Sequence, residues 1–338
     1  MAFWLDIAAF ALKALLIVAA LGGLAVLIAR LMRTEEEEDS ELEIHSLNAR
    51  LERNQTRLGA ELLPKKERKA FAKARKKAAK ADQAKPAGNR IYVLDFKGDI
   101  RASAVKRLGH EIDALLTVAR PGQDEVVVRI DSPGGTVTGY GLAASQIARL
   151  KAASIEVTAC VDQVAASGGY LMASAANRIV AAPFAILGSI GVVAQVPNLN
   201  RLLKKNDIDF EEMTAGEFKR SVSIFGEITP AGREHFRGKL DATHVTFKEF
   251  VRENRPGLDI EKVANGDTWL GREALTLGLV DELAASDDYL FRARDRARIY
   301  EISMREHKSL PRRLLDGFGL TAQRAVDLVV ERLTNAER

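Results

Sequence analysis

From residue 90 to residue 181, short runs of β-branched and aliphatic residues alternate with segments patterned for helices. Ile91-Tyr92-Val93-Leu94-Asp95-Phe96, Val126-Val127-Val128-Arg129-Ile130 and residues 155–161 read as strands. Between the first two, residues 104–119 set Val105, Leu108, Ile112 and Leu115 on one helical side, and residues 141–152 return to helix. Apolar residues three or four apart share a helix face, whereas near-continuous apolar runs suit strands buried on both faces. Strict alternation of the two predicts an α/β fold with largely parallel pairing. Shorter β elements are expected at 178–181 and 190–195, helices at 167–177 and 233–254, and a tail with a strand at 297–302 and an amphipathic helix at 321–333.

Upstream of this domain the chain changes character. Residues 7–29 are apolar except for Lys13, and 14–29 carry no charge. A helix of about 20 such residues would span roughly 30 Å, with Lys13 snorkelling to one interface. A cleaved signal peptide opens on basic residues and closes on a small-residue site. Here the opening holds Asp6 and the run stops at Arg30-Leu31-Met32-Arg33. The expectation is therefore a retained single-pass anchor over residues 1–33. Arg30 and Arg33 behind the span favour a cytoplasmic placement of the large domain that follows.

Residues 34–89 are expected to form a charged helical spacer without a strand. Leucines at 42, 47, 51, 58 and 62 recur at helical distances, Pro64 interrupts, and residues 65–80 hold nine basic side chains against Glu67 alone. Interleaved alanines favour helix but supply little apolar surface. Such a helix is either a solvated spacer or a partner for anionic membrane lipid. Nucleic acid is not an expected partner, since a single aromatic, Phe71, and no recognisable module accompany the charge.

Composition narrows the chemistry. With 338 residues and 47% apolar content, the chain can bury one sizeable core plus an appendage. The single cysteine, Cys160, lies in an apolar run, which excludes a disulfide framework and a Cys-rich metal site. None of the five histidines has HExxH spacing. No nucleotide fingerprint surrounds the glycine pairs Gly134-Gly135 and Gly168-Gly169, which follow expected strands. Glycines there allow tight turns whose amides can face a developing oxyanion, and they serve equally well for close helix–strand packing. Two serines, Ser132 and Ser167, adjoin these turns. GxSxG is absent and no histidine sits in a triad motif, so a hydroxyl nucleophile would need another base. A desolvated lysine can serve. The residues alone do not say which lysine.

Several ordered motifs supply that assignment. Asp131-Ser132-Pro133-Gly134-Gly135, residues 162–170, Gly188-Ser189-Ile190-Gly191-Val192, residues 214–220 and Gly278-Leu279-Val280-Asp281 resemble the signal peptide peptidase A / SohB family of serine proteases, peptidase family S49. The similarity runs from Arg90 to about Ser286 and is strongest to SohB-type membrane-anchored members. It implies Ser167 as nucleophile, Lys219 as general base and Ser189 as the hydroxyl positioning that lysine. It also implies an oxyanion hole built from backbone amides of Gly134, Gly135 and Gly168. The implied fold is a ClpP/crotonase-like α/β spiral over 90–286, preceded by the transmembrane helix and basic spacer and followed by a C-terminal extension, 287–338, for packing or oligomerisation.

The resemblance further implies a membrane-anchored serine endopeptidase of the bacterial inner membrane, with no metal or organic cofactor. It would act on peptides or proteins, signal-peptide remnants and membrane-protein fragments among them, and associate into homo-oligomeric rings. Signal peptide peptidase A relatives place the domain on the periplasmic side, against the charge argument, and both placements stay open. The competing readings are a crotonase-type acyl-CoA enzyme and a catalytically silent membrane scaffold.

Overall fold

Residues 40–83 and 88–306 are described by the structure, a computed structural model. In chain order the strands are β1 (Ser40–Ser46), β2 (Asn89–Lys97), β3 (Glu125–Asp131), β4 (Glu156–Val161), β5 (Val164–Ala166), β6 (Arg178–Ala181), β7 (Ile186–Gly188), β8 (Thr268–Leu270), β9 (Glu282–Leu283) and β10 (Ala297–Glu306). The helices are α1 (Leu47–Leu62), α2 (Lys65–Gln83), α3 (Val105–Val118), α4 (Val137–Ala152), α5 (Gly168–Ser174), α6 (Asn200–Lys205), α7 (Pro230–Asn254), α8 (Ile260–Val263), α9 (Gly271–Thr276) and α10 (Ser286–Ala293). Two compact units divide the chain, Ile44–Ser303 and a second joining Met1–Glu43 with Met304–Arg338. All expected site residues belong to the first.

Seven strands form one sheet in the order β1-β10-β2-β3-β4-β6-β9, and β5-β7-β8 form a smaller one. From β10 through β9 the strand pairings of the large sheet are parallel. Period-two alternation divides its side chains between two cores. Tyr92, Leu94, Phe96, Val126, Val128 and Ile130 face a core closed by α3, α4 and α5. Ile91, Val93, Val127, Cys160 and Val180 face the other, closed by Leu47 of α1 and by Tyr289, Leu290 and Ala293 of α10. Burial on both faces explains why these strands read as continuous apolar runs.

The charged segment 34–89 contains a strand, β1, where none was expected. It also reaches the core. Leu47 is buried, and Asn48 donates to Arg294 O and Ala297 O while accepting from Ile299 N. Buried Leu47 and the hydrogen-bonded Asn48 amide therefore anchor α1 at its start, and most of the helix beyond them is exposed.

No helix among the described residues is long and apolar enough to cross a membrane. Helices α2 and α7 have sufficient length, 19 and 25 residues, but both are studded with Lys, Arg and Glu, and each Lys or Arg at a bilayer centre is unfavourable by about 2.5–3.5 kcal/mol. This corrects the expected transmembrane helix ahead of the domain. The single-pass inner-membrane placement, the membrane-anchored form of the function and membrane lipid as a partner are withdrawn with it. Residues 1–33, on which that expectation rested, lie outside the described residues, as does the expected helix at 321–333.

Candidate active site

Strand β3 ends at the first glycine turn and β5 at the second, and backbone hydrogen bonds draw the two ends together. Ser132 N donates to Val164 O at 2.8 Å, and Ala166 N donates to Ser132 O at 3.0 Å. On its other side β5 pairs in parallel with β7, Ala166 opposite Gly188, and Ser167 N donates to Gly188 O at 2.8 Å. Ser167 therefore sits at a junction held from both sides. Helix α5 starts directly behind it, and Tyr170 anchors that helix by donating its hydroxyl to Leu279 O at 3.0 Å.

The backbone of Ser167 has φ 50° and ψ −120°. Type II′ turns reserve such angles chiefly for glycine, because a Cβ crowds the neighbouring peptide there. A half-buried serine held at this strand-to-helix corner has its Oγ presented by a backbone that cannot relax.

Gly134 packs against the same corner. A Cβ at Gly134 would fall 2.8 Å from Ala166 O, Gly168 N and Ser167 Cβ, and its φ of +92° disfavours any side chain. Gly168 lies over the Tyr140 ring, at the start of α5. Gly134, Gly135 and Gly168 do not contribute alike. The Gly134 N–H donates to Ser132 Oγ at 3.1 Å. The N–H groups of Gly135 and Gly168 make no hydrogen bond among the described residues, leaving these two amides able to receive an oxyanion.

The rival hydroxyl is Ser132. It is fully buried, with Oγ 2.5 Å from the Tyr140 hydroxyl, and Tyr140 donates onward to Asp99 O at 2.8 Å. Burial pushes the Tyr140 phenol up, with the Ser132 hydrogen bond opposing it, so the phenol keeps its single proton at neutral pH. That proton serves Asp99, and Ser132 must therefore donate to Tyr140. Ser132 is thus a buttress of the first glycine turn. Its partner Tyr140 carries no signal in the sequence that would have marked it.

Ser189 follows β7 as Ser167 follows β5, and it too has a positive φ, 51°. The structure brings these two serines to neighbouring strand ends. No hydrogen bond among the described residues joins Lys219 to either of them. Lys219 is exposed, in a stretch without helix or strand between α6 and α7, and its amine makes no hydrogen bond among the described residues. The desolvated surroundings expected for a lysine base are not built around it by this chain alone. No described histidine hydrogen-bonds to Ser167 either: His244 Nε2 meets Ile190 O at 3.2 Å and His235 stacks on Phe218. Among the described residues no group of His, Cys, Asp or Glu could hold a metal ion.

Two family profiles match the chain, "Peptidase family S49 N-terminal" over residues 2–147 and "Peptidase family S49" over 149–299. Relatives named "Probable protease SohB" are similar over long stretches. The one from Haemophilus influenzae is 49% identical over 247 residues, covering 73% of this chain and 69% of its own. That from Buchnera aphidicola subsp. Schlechtendalia chinensis is 41% identical over 306 residues, covering 86% and 99%. A third, from Buchnera aphidicola subsp. Acyrthosiphon pisum, is 53% identical over 201 residues, 60% of each chain. On these matches the chain is a serine protease and belongs to peptidase family S49, with SohB-type proteins as its relatives.

Proposed function

We propose that Ser167 is the nucleophile of peptide-bond hydrolysis, with Lys219 as general base and Ser189 as the hydroxyl that aligns the lysine. The observation carrying this reading is the corner at Ser167, which has a glycine-like backbone and two unengaged amides, Gly135 and Gly168, beside it. Ser167 Oγ attacks the scissile carbonyl carbon as neutral Lys219 takes its proton. The Gly135 and Gly168 N–H groups hold the oxyanion. The carbonyl then re-forms, the C–N bond breaks, and the Lys219 ammonium protonates the leaving amine. Water, deprotonated by Lys219, releases the acyl group and restores Ser167. Extended peptides or proteins are the substrates.

For Lys219 to act, its surroundings must dry out. Met213, in the same irregular stretch, is 90% exposed, Val193, between β7 and α6, is 80% exposed, and Phe210, Met213, Ile224 and Phe225 line an open recess. Exposed apolar surface of this kind marks an association site. Packing of copies against this stretch, as in a homo-oligomeric ring, would desolvate the lysine.

The test is labelling of the purified chain by a fluorophosphonate probe, with the modified residue read by mass spectrometry. Adduct on Ser167, lost in Ser167→Ala and in Lys219→Ala, is the expected result. Labelling that persists in Ser167→Ala overturns the nucleophile, and near-normal labelling in Lys219→Ala overturns the base.

A further inference from the structure

Between α6 and α7 the chain around Lys219 has no regular structure of its own, so its position depends on what it leans on. Two contacts, one on either side of Lys219, tie it to the beginning of α7. Phe218 stacks face to face on His235, with ring centres 3.9 Å apart and planes 9° from parallel. Ser221 lays its carbonyl oxygen against Gly232, where an added Cβ would come within 2.5 Å of it.

Helix α7 is itself firmly held. Thr229 caps it, accepting from Gly232 N at 3.0 Å. His244 touches Ile190 O, one residue past Ser189. Phe247 and Val251 lie in the main core. One continuous helix thus links the Lys219 segment to the backbone beside Ser189 and to the body of the domain. His235 and His244 are nine residues apart, about 13 Å along the axis at 1.5 Å per residue.

The His235 ring has a peculiarity. Its Nε2 is shut off from solvent and has no hydrogen-bond partner among the described residues. A buried polar nitrogen left unpaired is unfavourable in either tautomer. The nitrogen gains nothing at this position, whereas the ring face makes the contact with Phe218, the residue before Lys219.

We propose that His235 is a positioning residue for Lys219, acting through the face of its ring on Phe218. The proposal rests on Lys219 being the base, and it holds whether the serine served belongs to the same chain or to a neighbouring copy. A misplacement of about 1 Å can slow a reaction by as much as 100-fold, so loss of the stack should register directly in the rate of serine acylation.

The experiment measures fluorophosphonate labelling of the full chain, separating the limiting rate from the probe concentration at half-saturation, alongside thermal melting. His235→Ala is expected to lower the limiting rate by about tenfold or more with half-saturation unchanged. His235→Phe, which keeps a planar ring and removes the unpaired nitrogen, should stay within about threefold of the original chain. Phe218→Ala, an exposed side chain whose removal leaves α7 intact, should reproduce the His235→Ala loss, and the double variant should be no slower than either single one. The idea fails if His235→Ala labels at the original rate, if His235→Phe is as slow as His235→Ala, or if the two alanine effects multiply. Should His235→Ala not fold, Phe218→Ala and His235→Phe decide the matter by the same criteria. The Ser167→Ala and Lys219→Ala controls report separately: labelling that survives in them refutes the dyad, not the stack.

Discussion

Ser189 stands beside Ser167, each one residue past the end of a parallel strand, with φ of 51° and 50° and the preceding residues Gly188 and Ala166 paired in register. Parallel neighbours are about 4.8 Å apart, and on the proposed reading an amine that approaches Ser167 would also meet the Ser189 hydroxyl. Ser189→Ala should slow acylation by about 10- to 100-fold, with melting unchanged. An unaltered labelling rate would remove Ser189 from the site.

The backbone of Ser167 leads to a stability experiment with two arms. Ser167→Ala keeps the strained angles, whereas Ser167→Gly relieves them. Both variants should be inactive, but the glycine form should be the more stable in urea, by about 1 kcal/mol. Equal stabilities would mean that the corner is not strained.

At Gly134 an added methyl would meet three atoms at 2.8 Å, the Cβ of Ser167 among them. Gly134→Ala should therefore destabilise the fold by about 2 kcal/mol or more, since neither backbone nor packing can absorb it. Activity should fall further than the loss of folded protein explains, because the Gly135 amide moves with the turn. Denaturant titration and labelling on the same samples check both.

Lys219→Arg is informative because it preserves charge but not chemistry. A guanidinium does not release its proton in a protein, so it cannot act as a base. The variant should be as inactive as Lys219→Ala. Appreciable turnover would show that the side chain contributes only positive charge.

Acid stability should depend on Asp124. This buried carboxylate is penalised by desolvation, but hydrogen bonds from Arg120 and Arg90, side chain and backbone, outweigh that and hold its pKa at about 2. A carboxyl depressed on folding contributes stability that is complete above its unfolded pKa of about 4 and disappears as pH falls through 2. Between pH 4 and pH 2 the chain should lose about 2 kcal/mol from this group alone. In Asp124→Asn the melting temperature should be lower at pH 7, with a flatter decline across that window. An identical acid limb would refute the assignment.

Elements defined by repeated side-chain spacing were legible from the residues. The runs at 91–96, 126–130 and 178–181 lie within β2, β3 and β6, the run at 155–161 overlaps β4, and the helix at 104–119 became α3 with its expected Leu108, Ile112 and Leu115 buried. Elements defined by their partners were not. β5 and β7 have three residues each, too few to show a period, and they exist because Ser132 and β8 pair with them. Residues 190–195 have strand composition but find no partner, and no strand forms there. The site divides along the same line. Motif residues at the two glycine turns converge through strand pairing, whereas Lys219 lies on a stretch whose position depends on stacking and packing that no local pattern encodes.

β10 lies against β2 in the sheet, so a strand near residue 300 completes the pairing of one near residue 90. During synthesis β2 emerges early and must wait for some two hundred further residues before that edge is covered. Until then its Ile91 and Val93 have a ready template for any other extended chain, including the peptides that such an enzyme would later cut. A chain broken off ahead of Ala297 would keep that edge open permanently. Truncated products should therefore accumulate as aggregates rather than as separately folded domains.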